Sequence, residues 1–436
     1  SSSYYGHVFW DADVWMLPAM LPITPNISRA MIKYRFNTMP AAIDNARNEG
    51  RNGTKWAWES AFSGVSATGN DNQEIHLQAG IAMALRSYFR ATNDFTFLQK
   101  TVWPMLENII AFFESRVTPM AQDKRWNCMT FNTTERAEIA RCAKAGHGED
   151  LCQRETCIAV PGHVFTGGNN TEHAGCGICY CCVKSAPPAT HNHTVAECPA
   201  GHDCLGLNNV QSPNEYASGI NNDIYTNTAF AGVLEWAARV AQMLEKPDPA
   251  RYSALARRII IPFNQTLGRH EEYTGAPAAL RIKQSTVTMV PYPVEYPMPT
   301  AVQRKDLEYE AAHIGTEGPA MTHSMLAIDW LSLHNSTGGN LELKRSYSTN
   351  LVGPFLQWME CPIPPDYCQG HRPATNFLTA AGGFLQALIY GFVGLRYNDL
   401  NMTITPMLPG DASQLTLYGL HYHGAELRVS VAASQL

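Results

Sequence analysis

The 436-residue chain has no run of lysine and arginine of the kind that grips phosphates, and its formal net charge is −6. Nucleic acid is therefore not an expected partner. No glycine-rich dinucleotide fingerprint, P-loop or G-x-S-x-G elbow occurs. The usual marks of a nucleotide cofactor, of nucleotide hydrolysis and of an exposed serine nucleophile are thus missing, and no cofactor is expected. No supersecondary unit repeats at a fixed period. Charge is sparse at 16%, but 45% of the residues are hydrophobic, which excludes a largely disordered chain. An initiator methionine and a leader are also missing. The chain opens on Ser1-Ser2-Ser3 directly before a dense aromatic motif. This reads as a processed or partial chain that lacks an upstream part.

What is abundant speaks to compartment. Of 12 cysteines, ten fall between Cys128 and Cys204. N-x-S/T acceptors occur at Asn26, Asn52, Asn132, Asn169, Asn192, Asn264, Asn335 and Asn401. A dense, even-numbered cysteine block beside many acceptors points to the secretory pathway and disulfides. Cys361 and Cys368 bracket a proline-rich loop and are expected to pair. His191 and His193 lie inside the cysteine block and read as solvated loop histidines, so no metal site is expected. The stretch Phe377–Leu395 carries no charge and nearly reaches bilayer length. Its glycines, and acceptors on both sides, favour a buried helix over a membrane span.

Helical periodicity dominates the chain. After Asn93-Asp94, a plausible N-cap pair, Leu106, Ile109, Ile110 and Phe113 recur at helical spacing, as do Phe230, Val233, Leu234 and Ala237. Around Met321–Leu333 two faces are apolar: Met321, Met325 and Ile328 on one, Leu326, Trp330 and Leu333 on the other. A helix apolar on two sides is packed on two sides, as in concentric helical layers. Residues 128–204 have too little apolar periodicity to fold without staples and read as a disulfide-stapled insertion. After about Tyr397 short strands are expected at Met402–Thr405, Gln414–Tyr418 and Glu426–Val431. The division that follows is a helical domain over 1–127 and 205–396, the insertion over 128–204, and a small β-domain over 397–436.

Five polar segments sit in aromatic surroundings: Phe9-Trp10-Asp11-Ala12-Asp13-Val14-Trp15, Trp56-Ala57-Trp58-Glu59-Ser60, Gln73-Glu74-Ile75-His76, Ser212-Pro213-Asn214-Glu215-Tyr216 and Trp358-Met359-Glu360-Cys361. Carboxylates beside indoles suit sugars: the carboxylate accepts from hydroxyls and the ring covers the apolar C–H face. In this order the segments resemble glycoside hydrolase family 65. Phe9–Met16 is similar to its F-W-D-x-D/E-x-W-M motif, Trp58–Ser60 to W-E-S, and Gln73–His76 to Q-E-x-H. Ser212–Asn227 is similar to the segment that carries its general acid. Lys283-Gln284, Gly318–Thr322 and Asn376–Thr379 extend the match.

The resemblance implies an (α/α)6 barrel, usually preceded by a β-sandwich, which the missing upstream part would supply. It implies that Glu215 is the general acid and Glu360 the general base. Trp10, Asp11, Trp58, Glu59, Lys283 and Gln284 would bind glucose. The implied partner is a carbohydrate, and the implied activity is inverting hydrolysis of an α-glucoside by a secreted enzyme. Glucosyl-α-1,2-galactosyl-hydroxylysine is the best single substrate. Acid trehalase is the alternative, and a catalytically silent carbohydrate-binding glycoprotein is a third. Two carboxyls are needed because one must protonate the glycosidic oxygen while the other takes a proton from water on the opposite face, with about 6.5–9.5 Å between them. Phosphate needs no such base, so Glu360 favours hydrolysis over phosphorolysis. Three departures stand out: Asn214 where Asp is usual, Ala217 where the galactosyl-hydroxylysine glucosidases carry His, and Ala57 where Pro is usual.

Overall fold

The computed structural model describes residues 2–68, 72–119, 126–132, 178–184, 204–315, 318–362 and 373–433. Among them the core is helical. The helix His76–Thr92 is buried on nearly every side and packs against Pro25–Asn37, Trp103–Arg116 and Ile224–Met243. A helix so enclosed needs apolar or paired residues all round, and Leu77, Ile81, Ala82, Ala79 and Met83 supply them on successive sides. It ends at Asn93, which takes the left-handed conformation (φ 54°). Asp94 then caps the next helical turn, its carboxylate accepting from Phe97 N at 2.9 Å. The two residues of the expected cap pair therefore divide the work between one helix end and the next helix start.

Leu106, Ile109, Ile110 and Phe113 are all inside, and Phe113 stacks on Phe230 with 4.3 Å between ring centroids. This stack joins Trp103–Arg116 to Ile224–Met243. The two-faced helix runs over Thr322–Ser332. Met325 and Ile328 enter the main core, while Leu326 joins Leu307 and Leu333 in a separate cluster covered by Trp330. Each apolar face thus meets its own partner.

The uncharged stretch forms the helix Leu378–Gln386, continues through a wider turn over Ala387–Phe392, and ends in the strand Leu395–Tyr397. Its glycines mark close approaches: a Cβ on Gly382 would meet Trp15 O at 2.6 Å, and one on Gly383 would meet Ser324 Oγ at 2.3 Å. No helix among the described residues is long and apolar enough to cross a membrane.

The C-terminal strands form two separate two-stranded ladders, Leu395–Tyr397 with Met402–Ile404 and Gln414–Tyr422 with Ala425–Ala432. The second turns at His423-Gly424, both with positive φ, as a tight hairpin requires. Its hairpin is anchored on the helical body by Leu420, fully buried, and by His421 N donating to Pro22 O and His423 N to Ala91 O. Within the cysteine-rich block, Trp126–Asn132 pairs antiparallel with Ile178–Lys184, with Cys128 opposite Cys182. Cys204 and Cys361 are each disulfide-bonded. Cys368, His191 and His193 lie outside the described residues.

The acceptor asparagines divide. Asn26, Asn52 and Asn401 are exposed, while Asn335 is partly covered and caps a helix through Gly338 N at 2.9 Å. Asn264 corrects the expectation: it is 2% exposed and its amide donates to Glu271 Oε1 at 2.9 Å. In the folded chain it offers no room for a glycan. Asn169 and Asn192 lie outside the described residues, and Asn132 closes the first cysteine-block strand.

Candidate active site

The loop that carries Glu215 is built from both ends. Downstream, Asp223 caps the long Ile224–Met243 helix, its carboxylate accepting from Thr226 N at 2.8 Å and Thr226 Oγ1 at 2.6 Å. Upstream, Ser212 N donates to Ala217 O and Ala217 N to Asn214 O, closing a tight turn with Glu215 inside it. Gln73 braces this turn from the side. Its Oε1 accepts from Ser218 Oγ (2.7 Å) and Gly219 N (3.0 Å), and its Nε2 donates to Asn209 Oδ1 (3.1 Å). Asn214, fully buried, accepts from Lys283 N at 2.9 Å and donates to Arg281 O at 3.1 Å. The Glu215 turn and the Lys283 segment are thereby locked together, and Lys283 Nζ donates to Glu215 Oε2 at 2.6 Å. The Glu215 side chain is 36% exposed, so it is partly open to solvent and not deeply buried.

Glu360 is held as firmly through its backbone. Its N donates to Ala374 O at 3.0 Å, its O accepts from Ala320 N at 2.7 Å, and Asn350 Nδ2 reaches both Met359 O and Glu360 O at 3.3 Å. The side chain accepts from Tyr4 Oη at 2.6 Å through Oε1.

The first three motifs meet in an aromatic cluster. Trp10 is wholly buried and touches Trp58 (6.2 Å between centroids), His76 (4.9 Å) and Tyr225 (5.8 Å). Trp58 lies over it, partly exposed. Burial drives the His76 imidazole down to about 3, so it is neutral in the folded chain. Asp13 turns inward to Arg35, Oδ2 to Nη2 at 2.6 Å, and its pairing is structural. Asp11 alone of the first motif's carboxylates remains for a ligand. Thr379 Oγ1 donates to its Oδ1 at 2.6 Å. Burial pushes the Asp11 carboxyl up to about 6; the Thr379 bond opposes this, while the charges of Glu215 and Glu360 add to it. The Tyr4 phenol is also raised far above its ordinary value, by burial first and then by Glu360, Asp11 and Glu215. Asp11 and Tyr4 thus both lie within electrostatic reach of both glutamates.

Residues 1–130 match the glycosyl hydrolase family 65 central catalytic domain. The chain is a relative of family 65. It is 30% identical to the protein-glucosylgalactosylhydroxylysine glucosidase of Mus musculus over 97% of its own length and 49% of that protein. It is 30% identical to a periplasmic/secreted acid trehalase of Candida glabrata over 91% of its length and 27% of that protein. With a kojibiose hydrolase of Mucilaginibacter mallensis it shares 28% identity over 96% of its length and 50% of that protein. The chain spans about half the length of the glucosidases it matches. Its fold is shared with a putative kojibiose phosphorylase from the human microbiome, at a TM-score of 0.65 and 15% identity, over 99% of this chain and 56% of that one.

Within this relative of family 65, the structure brings Lys283 into contact with Glu215 and sets Asp11 within electrostatic reach of Glu215 and Glu360, while Trp58 packs on Trp10, Phe9 and His76. Trp10 and Gln284 (3% exposed) are buried, Gln284 next to Lys283 in the chain. Glu59 is occupied by His7, whose Nδ1 lies 2.7 Å from its Oε1. Sequence reasoning missed Tyr4, His7 and the Thr379–Asp11 bond. Thr379 stood inside a matched segment, so only its role was hidden. Tyr4 stood next to Tyr5 with nothing in the spacing to separate them.

Proposed function

We propose that the chain hydrolyses an α-glucosidic bond with inversion, Glu215 protonating the leaving oxygen and Glu360 taking the proton from the attacking water. The observation that carries this reading is the shared reach of the two glutamates: both charges act on Asp11 and on Tyr4. Two carboxyls acting on one site are what inverting hydrolysis requires, and Trp58 is read as the floor on which the sugar rests. Asp11, Trp58, Glu59, Lys283 and Gln284 then hold the glucosyl ring, with Trp10 behind them. A sugar hydroxyl arriving at Lys283 takes over one of its donors and releases Glu215 to serve the glycosidic oxygen.

The helical part, 1–127 and 205–396, is read as the (α/α)6 barrel, with 397–436 as its C-terminal β-appendage. Residues 128–204 are read as a disulfide-stapled insertion, and Cys361–Cys368 as a further bridge. The chain is read as secreted and glycosylated. Glucosyl-α-1,2-galactosyl-hydroxylysine is the substrate proposed first, since relatives named for that activity align over nearly the whole chain.

The test is glucose release from glucosylgalactosyl-hydroxylysine, kojibiose and trehalose, with the anomer followed by proton NMR. The expected result is β-glucose as first product, fastest from the hydroxylysine conjugate. Initial α-glucose would overturn inversion, and preference for trehalose would move the substrate to the trehalase class. Unchanged rates in Glu215→Gln and Glu360→Gln would remove both residues from the chemistry.

A further inference from the structure

We infer that Tyr4 is a positioning residue for the base: its hydroxyl holds one oxygen of Glu360 and leaves the other to face the attacking water. The inference rests on the hydrolytic reading above and adds a residue that the family-like motifs do not contain.

The geometry is specific. Tyr4 Oη donates to Glu360 Oε1 at 2.6 Å, a length typical of a neutral hydroxyl bound to a carboxylate. The two residues are 356 positions apart, so the bond joins the first described segment to the loop after Trp358. The backbone of Glu360 is already fixed by Ala320, Ala374 and Asn350. Those bonds leave the side-chain torsions free, and the carboxylate could turn about them. Tyr4 removes that freedom. Its own ring is held edge-on against Phe9 (5.3 Å between centroids), and Phe9 is edge-on to Trp58 (6.2 Å). The base is therefore tied through two rings to the floor on which the sugar would rest.

The chemistry also fits one direction of donation only. Burial and the surrounding carboxylates keep the phenol protonated across the working pH range. Tyr4 therefore always donates and never competes for the water's proton. An ionised Glu360 has two oxygens; with Oε1 engaged, Oε2 is the acceptor left for water. A base held in one rotamer loses less orientation on the way to the transition state. Tyr5 has no part in this: it is 84% exposed.

Tyr4→Phe keeps the ring on Phe9 and deletes only the hydroxyl. Turnover of the full chain would be measured on kojibiose and on α-glucosyl fluoride, whose leaving group needs no protonation. We expect kcat to fall about 10- to 100-fold on both substrates, from loss of one hydrogen bond to a charged group, with KM nearly unchanged. Glu215→Gln provides the contrast, failing on kojibiose and retaining most activity on the fluoride. A Tyr4→Phe enzyme within twofold of wild type on the fluoride, or one impaired only in KM, would overturn the inference while leaving the hydrolytic reading intact. Should the unaltered chain cleave neither substrate, the hydrolytic reading itself would fall, and the inference with it.

Discussion

Lys283 Nζ reaches Glu215 Oε2 at 2.6 Å from the neighbouring segment, and both side chains remain partly open to solvent. An ion pair so placed stabilises a fold little, because water and salt screen it. In the proposed reading its value lies in fixing the acid and a sugar-binding cation at one place before a ligand arrives.

Lys283→Met therefore separates folding from function. We expect the free energy of unfolding to change by less than about 1 kcal/mol. We expect kcat/KM for an α-glucoside to fall roughly 100-fold, through a lost charged donor to the sugar. Denaturant melts and steady-state kinetics on the same preparation decide the matter. A large loss of stability would make Lys283 a structural lysine.

Asp11 yields a prediction about pH. Its carboxyl is raised from an ordinary 3.8 to about 6, so the folded chain holds this proton longer than the unfolded chain does. Between those values unfolding releases the proton, and stability falls as pH rises. Below about 4 the cost of burying the charge is absent; above about 6 it is complete. Asp11→Asn keeps the shape and an acceptor for Thr379 without the charge. The variant should melt higher than wild type at pH 7.5, and its advantage should shrink towards pH 4. A difference independent of pH would show that burial of the Asp11 charge is not what the wild type bears.

How much of this could be read in advance depends on whether the signal was local. The faces of Trp103–Arg116 and Ile224–Met243 follow from spacing alone, because helix periodicity is a property of ten or fifteen adjacent residues. The two partners of Thr322–Ser332 were legible for the same reason. The pair Asn93-Asp94 carried the right chemistry, but its division into a left-handed helix end and a new cap required the backbone. Asn264 misled, since an N-x-T triplet contains no information about burial. The Tyr4–Glu360 and Asp11–Thr379 bonds join residues more than 350 positions apart, and no local pattern encodes such a meeting. The fold brings them together first, and the chemistry follows from that.

Asn214 is the departure from the family motif that the structure explains best. An amide has a donor and an acceptor, and both are used: Oδ1 takes Lys283 N and Nδ2 gives to Arg281 O. The amide also lies against Glu272, whose carboxyl is held well above its ordinary value by burial and then by Glu310; the Asn214 bond acts in the opposite direction. An ionised aspartate in this place could keep the Lys283 bond, but it would turn an acceptor towards the Arg281 carbonyl. It would also add a further acid beside Glu272, on which Glu310 and Asp223 already act. Asn214→Asp should therefore destabilise the fold by about 1–3 kcal/mol at pH 8, the usual cost of an unmet buried polar group. The loss should lessen towards pH 5, where a protonated aspartic acid can donate to Arg281 O again. Because the same amide sets the distance between the Glu215 turn and Lys283, activity at pH 8 should fall along with stability. Urea melts at the two pH values provide the check. Equal destabilisation at both, or none at either, would mean that the donor of Asn214 is dispensable and that its identity here has another cause.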